Sequence, residues 1–187
     1  RNVDLLYALA LSEDQLGHMA VALELLKKAL ALAPRDADIL KSIGLVSLKT
    51  GDATTAITHL LEATVLYPDD EQIILALGKA YFTAGEYQKS LNYYQLLESR
   101  LPDDPQVLYQ IAMCQGKLNR PGESHYYFGL YFKKENKRDS ALFHLRKAIP
   151  YYQDGSSRAI AIAAAINELT TEKPDKNQKP QTEEKND

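Results

Sequence analysis

The sequence LGKAYFTAGEY at residues 77–87 reveals a repeat in the chain, because its small residues recur at one fixed interval. Gly78 is preceded by Gly44 and followed by Ala112, each 34 residues away. Gly85 is matched by Gly51 at the same interval. A period of this length indicates a stack of similar structural units, each of which buries its apolar face against its neighbours.

Prolines and aspartates divide the chain at the same interval. Three prolines, each 34 residues from the next, stop a helix because proline cannot continue it: Pro34, Pro68 and Pro102. An aspartate follows each proline two residues later, where an N-cap would accept hydrogen bonds from the free amides of the next helix: Asp36, Asp70 and Asp104. The predicted repeats are 3–36, 37–70 and 71–104.

Each repeat is predicted to be two antiparallel helices that approach closely through small residues. The first helix supplies one small residue and the second supplies another twelve positions later: Ala10–Ala22, Gly44–Ala56, Gly78–Ser90, Ala112–Ser124 and Gly129–Ala141. Glycine inside a helix costs about 1 kcal/mol relative to alanine, so close packing is the expected reason for its presence.

The register changes after the third repeat, since Gly129 follows Ala112 by half a period. The segment 121–135 can act as second helix to 105–118, and also as first helix to 139–152. We therefore predict a fourth unit made of 105–121 plus 122–155.

A last helix at about 157–171 is expected to cap the solenoid through Ile162, Ile166 and Leu169. The solenoid would then span 1–171. Residues 172–187 contain two prolines and no apolar side chain, and are predicted to be a disordered tail.

This 34-residue period with its small, aromatic and proline positions resembles the tetratricopeptide-repeat (TPR) family. The resemblance implies an all-α fold, a right-handed superhelical solenoid of antiparallel helix pairs with a C-terminal capping helix. It also implies a protein-interaction module rather than an enzyme.

Composition excludes several other functions. The formal net charge of −3 comes from 22 Lys and Arg against 25 Asp and Glu. There is therefore no excess of positive charge to neutralise phosphates, and nucleic acid is not an expected partner. No apolar run approaches the roughly 20 residues that cross a bilayer, so direct membrane insertion is not expected. The chain opens on Arg1 within a helical pattern and without a visible signal peptide, and we expect it to be part of a longer protein.

No residue pattern predicts catalysis, a metal or a cofactor. The four histidines are His18, His59, His125 and His144. No two of them are four residues apart, and the His-Glu-x-x-His motif of zinc proteases is missing. Cys114 has no identifiable base or orienting partner, so it is not expected to be a nucleophile.

The TPR resemblance places a binding groove on the first helices. Family positions that face the concave side correspond here to Asp4, Tyr7, Leu11, Lys41, Leu45, Leu48, Leu75, Lys79, Phe82, Tyr109, Met113, Tyr126 and Leu130. Lys41 and Lys79 edge this apolar and aromatic stripe. Such an apolar stripe predicts a protein or peptide partner. The alternative is that some of these side chains bury against the solenoid interior or against missing sequence.

One known TPR ligand is disfavoured. The clamp that holds an acidic C-terminus needs Lys and Asn where this chain has Tyr7 and Leu11. A peptide held by apolar anchors fits the stripe better.

A second resemblance concerns residues 124–132 (SHYYFGLYF) and 141–148 (ALFHLRKA). They look like the last repeats of BepA-like bacterial zinc metalloproteases. This implies a substrate-positioning tail, a periplasmic location and the parent's own catalytic domain as a partner; otherwise a cytoplasmic location is expected. A third interpretation is a scaffold that self-associates through its exposed N-terminal helix edge.

Overall fold

Ten α-helices and one short 3-10 helix follow one another along residues 2–171, the part of the chain that the computed structural model describes. The helices are α1 (Asn2–Gln15), α2 (Met19–Leu32), α3 (Ala37–Lys49), α4 (Ala53–Leu66), α5 (Glu71–Thr83), α6 (Tyr87–Arg100), α7 (Pro105–Lys117), α8 (Pro121–Lys134), α9 (Arg138–Ala148) and α10 (Ser157–Thr171), with the 3-10 helix at Ile149–Tyr151. No strand occurs in this range, so the all-α prediction is confirmed. The predicted tail, 172–187, lies outside the described residues.

The aspartates after the prolines cap the first helices as predicted. Asp36 accepts hydrogen bonds from the amides of Asp38 and Ile39 at 3.0 and 3.1 Å. Asp70 caps α5 in the same way, and Asp104 caps α7 by accepting from the Val107 amide at 2.9 Å. A cap of this kind satisfies amides that have no partner inside the helix, and typically stabilises by about 1 kcal/mol.

Left-handed residues connect the two helices of each pair. Glycine takes this position in the first three turns, at Gly17, Gly51 and Gly85, with φ between +79 and +84°. Asn119 and Asn136 take it in the next two, both at φ +57°. Asparagine tolerates this conformation better than other side chains with a Cβ, so the same turn continues where the glycine pattern stops.

Close approach between paired helices occurs at two levels. The Ser90 hydroxyl donates to the Gly78 carbonyl at 2.7 Å, and the Ser124 hydroxyl to the Ala112 carbonyl at 2.9 Å, twelve residues apart as predicted. A second contact involves the glycine of the first helix. Because glycine has no Cβ, it leaves room for the side chain sixteen positions later, on the second helix. A Cβ on Gly129 would lie 2.6 Å from Cγ of Leu145.

Successive helices pack in sequence order, and α3, α5 and α7 each lie between two second helices. Helix α8 packs on both α7 and α9, so both roles proposed for it are confirmed. Helix α10 packs on α9 and α8. The core around α6 and α7 includes Tyr94 and Cys114, both fully buried, with the Cys114 thiol 3.3 Å from the Ser90 hydroxyl.

An ion pair joins α10 to the rest of the solenoid. Arg158 donates two hydrogen bonds to the Glu123 carboxylate, from Nε at 3.1 Å and from Nη2 at 2.8 Å. The Tyr152 hydroxyl donates to the same carboxylate at 2.7 Å. The guanidinium also lies 4.0 Å from the centre of the Tyr126 ring, where a cation–π attraction adds to the pairing.

Candidate functional site

The N-terminal part of the predicted groove contains polar groups that are already paired. The Tyr7 hydroxyl lies 3.1 Å from the Ser42 hydroxyl. The Lys41 ammonium donates to Asp70 at 3.0 Å, and a second carboxylate, that of Asp38, is 3.8 Å away. Partial burial opposes charge on Lys41 and Asp70, but their hydrogen bond and attraction outweigh it, which raises the pKa of Lys41 and lowers that of Asp70. The Lys41 ammonium is therefore already in an ion pair with the Asp70 carboxylate.

The middle of the predicted groove is apolar and half-buried. Leu45 and Leu48 on α3, and Leu75 and Phe82 on α5, pack partly against the core and keep part of their surface accessible. Leu11, at the N-terminal end, is more exposed. Lys79 is half-buried between these positions and has no carboxylate partner among residues 2–171. This stretch offers apolar surface with one unpaired cation.

Aromatic rings occupy the C-terminal part. The Tyr109 ring is 37% exposed and makes edge contacts with Phe128 and Tyr131, at 5.7 and 5.2 Å between ring centres. Met113 and Leu130 are half-buried. Tyr126 is buried instead, because the Arg158 guanidinium covers its ring. For Tyr126 the structure therefore favours the alternative of a side chain that packs inside the solenoid, where its ring contacts Arg158 of α10.

A histidine pair lies between α8 and α9 and was not predicted. The Nδ1 atoms of His125 and His144 are 3.0 Å apart, and the rings of Phe128, Phe132 and Phe143 contact the ring of His144. Burial lowers the pKa of both imidazoles, with help from Lys147 at His125 and from His125 at His144. One ring donates and the other accepts, so the bond needs at least one neutral imidazole.

The spacing of the small residues could have revealed this pair. His125 precedes Gly129 by four residues, and His144 follows Ala141 by three. Since Gly129 and Ala141 mark the level at which the antiparallel helices α8 and α9 approach each other, the two histidines fall at a common level one turn away.

Within residues 2–171, the metal, pocket and membrane features do not point to another site. Over residues 2–171, no three or more His, Cys, Asp or Glu side chains converge as metal ligands. A shallow depression of about 440 Å³ on α9 is lined by Asp139, Leu142, Phe143, Arg146 and Lys147. Among the described helices, none is both long and apolar enough to span a bilayer.

Comparison with known proteins agrees with the repeat pattern and the helix pairs. A family model described as tetratricopeptide repeat matches residues 4–123. The chain belongs to the TPR family. Proteins of this family are generally non-catalytic scaffolds for protein interactions, which is consistent with the expectation that the chain is not an enzyme. No curated protein matches the sequence significantly.

Solved TPR structures share the fold. A MamA crystal structure is 25% identical, covers 74% of this chain and 75% of its own, and has a TM-score of 0.67. MamA from Desulfovibrio magneticus RS-1 is 13% identical over 91% of this chain and 94% of its own, with a TM-score of 0.71. Pseudomonas aeruginosa PilF is 22% identical over 87% and 81%, with a TM-score of 0.61.

These comparisons leave the metalloprotease resemblance without support. The TPR relatives reported above are not described as proteases. The resemblance continues to rest on residues 124–132 and 141–148 alone.

Proposed function

We propose that this TPR chain binds a peptide or a partner domain in a groove formed by its first helices. The observation that carries the proposal is an apolar strip on α3, α5 and α7, made of the half-buried Leu45, Leu48, Leu75, Phe82 and Met113 and the exposed Tyr109. Each has accessible surface left after packing, and burying that surface under a ligand would drive association.

The charges around the strip support an apolar rather than an acidic ligand. Lys41 is held by Asp70, which removes one of the two lysines that the sequence places in the groove. Lys79 remains as a single cation beside Phe82 and Leu75. One unpaired cation can orient a ligand, but the apolar anchors must supply most of the affinity.

Tyr109 and Phe82 are the anchors that we expect to dominate. Large aromatic side chains contribute most to interfaces because they bury much area with little loss of side-chain freedom. Phe82 is already positioned by an edge contact with Tyr87, at 5.2 Å between ring centres. Tyr109 is similarly held by Phe128 and Tyr131. Rings held in place before binding reduce the entropy lost on association.

The proposal is tested with peptides selected from a displayed random library on the wild-type protein. Affinity for the selected peptides is then measured by fluorescence anisotropy for the wild type and for Phe82→Ala with Tyr109→Ala. We expect the double variant to lose at least about tenfold in affinity, the loss typical of removing interface anchors.

A matched control removes the same two residue types elsewhere. Phe143 and Tyr151 are exposed on α9 and the 3-10 helix, outside the strip, so Phe143→Ala with Tyr151→Ala should leave affinity unchanged. Circular dichroism must report equal helix content for both variants. Equal affinity of the groove variant and the wild type would remove the groove from the function.

A tail role in a periplasmic zinc metalloprotease is the alternative that residues 124–132 and 141–148 favour. It requires a His-Glu-x-x-His motif and a signal peptide in the parent sequence upstream of Arg1. Sequencing the parent gene tests it directly, and a parent without that motif would remove this alternative.

A further inference from the structure

The histidine pair between α8 and α9 has nearly the spacing of a metal chelate. The Nδ1 atoms of His125 and His144 are 3.0 Å apart, and the ring centres are 5.2 Å apart. Two imidazole nitrogens that bind one zinc ion at ~2.0–2.1 Å in tetrahedral geometry lie roughly 3.4 Å from each other. The two Nδ1 atoms therefore need to separate by only roughly 0.4 Å to bind the same ion.

Helix packing holds the two rings at this spacing. A Cβ on Gly129 would be 2.6 Å from Cγ of Leu145, so α8 and α9 are in close contact one turn from His125 and directly beside His144. The ring of Phe132 stacks on that of His144, with 5.3 Å between ring centres, and limits its rotation. Ligands that are positioned before an ion arrives lose less conformational freedom when they bind it.

Both imidazoles are in the protonation state that binds metals. Burial lowers the pKa of His125 and of His144, so both rings are neutral at pH 7. In the hydrogen bond between them one ring carries its proton on Nδ1. Metal binding requires that proton to exchange to Nε2 of the same ring, after which both Nδ1 atoms present a lone pair. The exchange releases no proton to the solvent at neutral pH.

The protein supplies two ligands to this site. Within residues 2–171, no third His, Cys, Asp or Glu side chain converges with the pair. Both histidines are half-buried, and Phe143, which contacts the ring of His144, lines the shallow depression on α9. Solvent therefore reaches the pair, and water can fill the remaining positions around an ion, as it does in open zinc sites.

One positive charge lies close to the site. The neighbours three or four positions away along the two helices are Pro121, Gly122, Phe128 and Gly129 for His125, and Ser140, Ala141, Lys147 and Ala148 for His144. Lys147 is the charged residue among them, and its ammonium lowers the pKa of His125. The same ammonium repels a bound cation, so it should weaken metal binding.

From this geometry we propose that His125 and His144 bind one transition-metal ion of the kind that prefers imidazole ligands, with Zn²⁺ as the reference ion, through their two Nδ1 atoms. Imidazole suits Zn²⁺ and its neighbours in the first transition row, whereas Ca²⁺ and Mg²⁺ prefer oxygen ligands. The ion links α8 to α9, and because it binds the folded form it stabilises this part of the solenoid. The site uses none of the side chains of the proposed strip, so it stands or falls independently of peptide binding.

Isothermal titration of the chain, prepared without a histidine tag, with Zn²⁺ tests the proposal. The wild type should bind one ion per chain. His125→Gln and His144→Gln should each lose at least about tenfold in affinity, since even the loss of a residue that only supports a ligand costs roughly 10–100-fold. Zn²⁺ should also raise the melting temperature of the wild type and not that of these variants, with circular dichroism reporting equal helix content for all three.

A matched control removes the other two histidines. His18 lies beside the Glu13 carboxylate, with 2.7 Å between Nδ1 and the nearer oxygen, and is the competing place for an adventitious ion. His18→Gln with His59→Gln keeps the pair and should bind Zn²⁺ like the wild type. Cys114 is fully buried and does not compete in the folded protein.

Two further measurements report on the site itself. Co²⁺ in place of Zn²⁺ should give the strong visible absorption of a tetrahedral complex, and His144→Gln should abolish it. Lys147→Gln should raise the affinity for Zn²⁺ roughly two- to fivefold, the range expected when an exposed charge is removed.

Other outcomes would overturn the proposal. A wild type that binds no Zn²⁺ has no such site. Binding that survives in both His125→Gln and His144→Gln, or that disappears in His18→Gln with His59→Gln, places the ion elsewhere. Equally strong binding of Mg²⁺ would show attraction to carboxylates rather than to the imidazoles.

Discussion

The ring of Tyr94 lies so close to the backbone of Gly78 that a Cβ built on this glycine would be 2.8 Å from ring atoms Cε1 and Cζ. Tyr94 is fully buried, so its ring cannot turn outward without opening the packing of α6. Gly78→Ala should therefore lower the free energy of unfolding by about 1–3 kcal/mol through overpacking. This loss outweighs the gain of about 1 kcal/mol that alanine brings to a helix interior.

Urea denaturation followed by circular dichroism measures this effect. Gly116→Ala is the matched control, because its Cβ would meet only the Ser124 side chain, at 3.2 Å from the hydroxyl oxygen. That substitution should change stability by less than about 1 kcal/mol, since the smaller clash is offset by helix propensity. Equal effects of the two substitutions would mean that Tyr94 does not confine Gly78.

The left-handed turn at Gly85 predicts that an alanine at this position destabilises the protein. Gly85 has a φ of +79° with nothing near the position of a Cβ, so Gly85→Ala meets backbone strain but no clash. We expect a loss of about 1–2 kcal/mol, the cost of placing an ordinary residue in this conformation. The melting temperature should fall correspondingly.

Asn119 provides the control for that turn, because it occupies the equivalent position one repeat later with a φ of +57°. Asn119→Gly keeps the left-handed conformation available and should alter the melting temperature little. A higher melting temperature for Gly85→Ala than for the wild type would contradict the strain argument.

The His125–His144 pair predicts that stability falls in mild acid. Both pKa values are below the usual 6.5 in the folded protein, so the unfolded chain binds more protons as pH falls. Stability from the neutral pair is therefore fully present above about pH 6.5 and is lost as pH falls from there through the folded pKa values. Lys147, the charged side chain that lowers the pKa of His125, adds to the repulsion.

Thermal melts between pH 8 and pH 5 measure this loss. His144→Gln removes one titrating group while keeping a polar side chain, and its melting temperature should depend less on pH over that range. His18→Gln is the control, because His18 is exposed on the loop before α2, far along the chain from the pair. The prediction fails if His144→Gln and the wild type have the same pH dependence.

Arg158 should be the main attachment of α10. Arg158→Ala removes two charge-assisted hydrogen bonds and leaves the partly buried Glu123 carboxylate without its cation. Hydrogen bonds to charged groups contribute about 1.5–3 kcal/mol, and partial exposure brings the expected loss to about 1–2 kcal/mol. Arg158→Lys should recover only part of it, because lysine cannot pair in the two-pronged geometry.

Amide hydrogen exchange of α10 is the most direct measurement for this prediction. The loss of stability in Arg158→Ala should be greatest in that helix, so its amides should exchange faster than in the wild type. Lys134→Ala breaks a comparable pair with Asp103, 2.8 Å apart but largely exposed, and should cost less than about 1 kcal/mol. Exchange in α10 that is as slow in Arg158→Ala as in the wild type would contradict an anchoring role.

Much of the fold could be predicted because proline, aspartate and glycine impose local backbone behaviour at a regular interval. Pro68 and Asp70, for example, end one repeat and cap the next helix through contacts within a few residues. The capping helix Ser157–Thr171 also has the predicted range. The assignment of the groove to Leu45, Leu75 and the other predicted positions remains a prediction.

Other features depend on contacts between helices that local patterns do not contain. Tyr126 occupies a groove position by register, yet Arg158, 32 residues later, covers it. Asn119 and Asn136 replace glycine in the turns, since more than one residue type tolerates a positive φ. The His125–His144 contact required the relative level of two helices to be known, which a single sequence indicates only through its small-residue pairs.

Cys114 gives this chain a built-in reporter of its own opening motions. It is the only cysteine, it is fully buried between α6 and α7, and burial raises the pKa of its thiol. A thiol-modifying reagent can therefore react only in molecules whose middle repeats have transiently separated. Labelling rates at increasing reagent concentration would measure how often this happens, and whether the middle of the solenoid opens alone or only when the whole molecule unfolds.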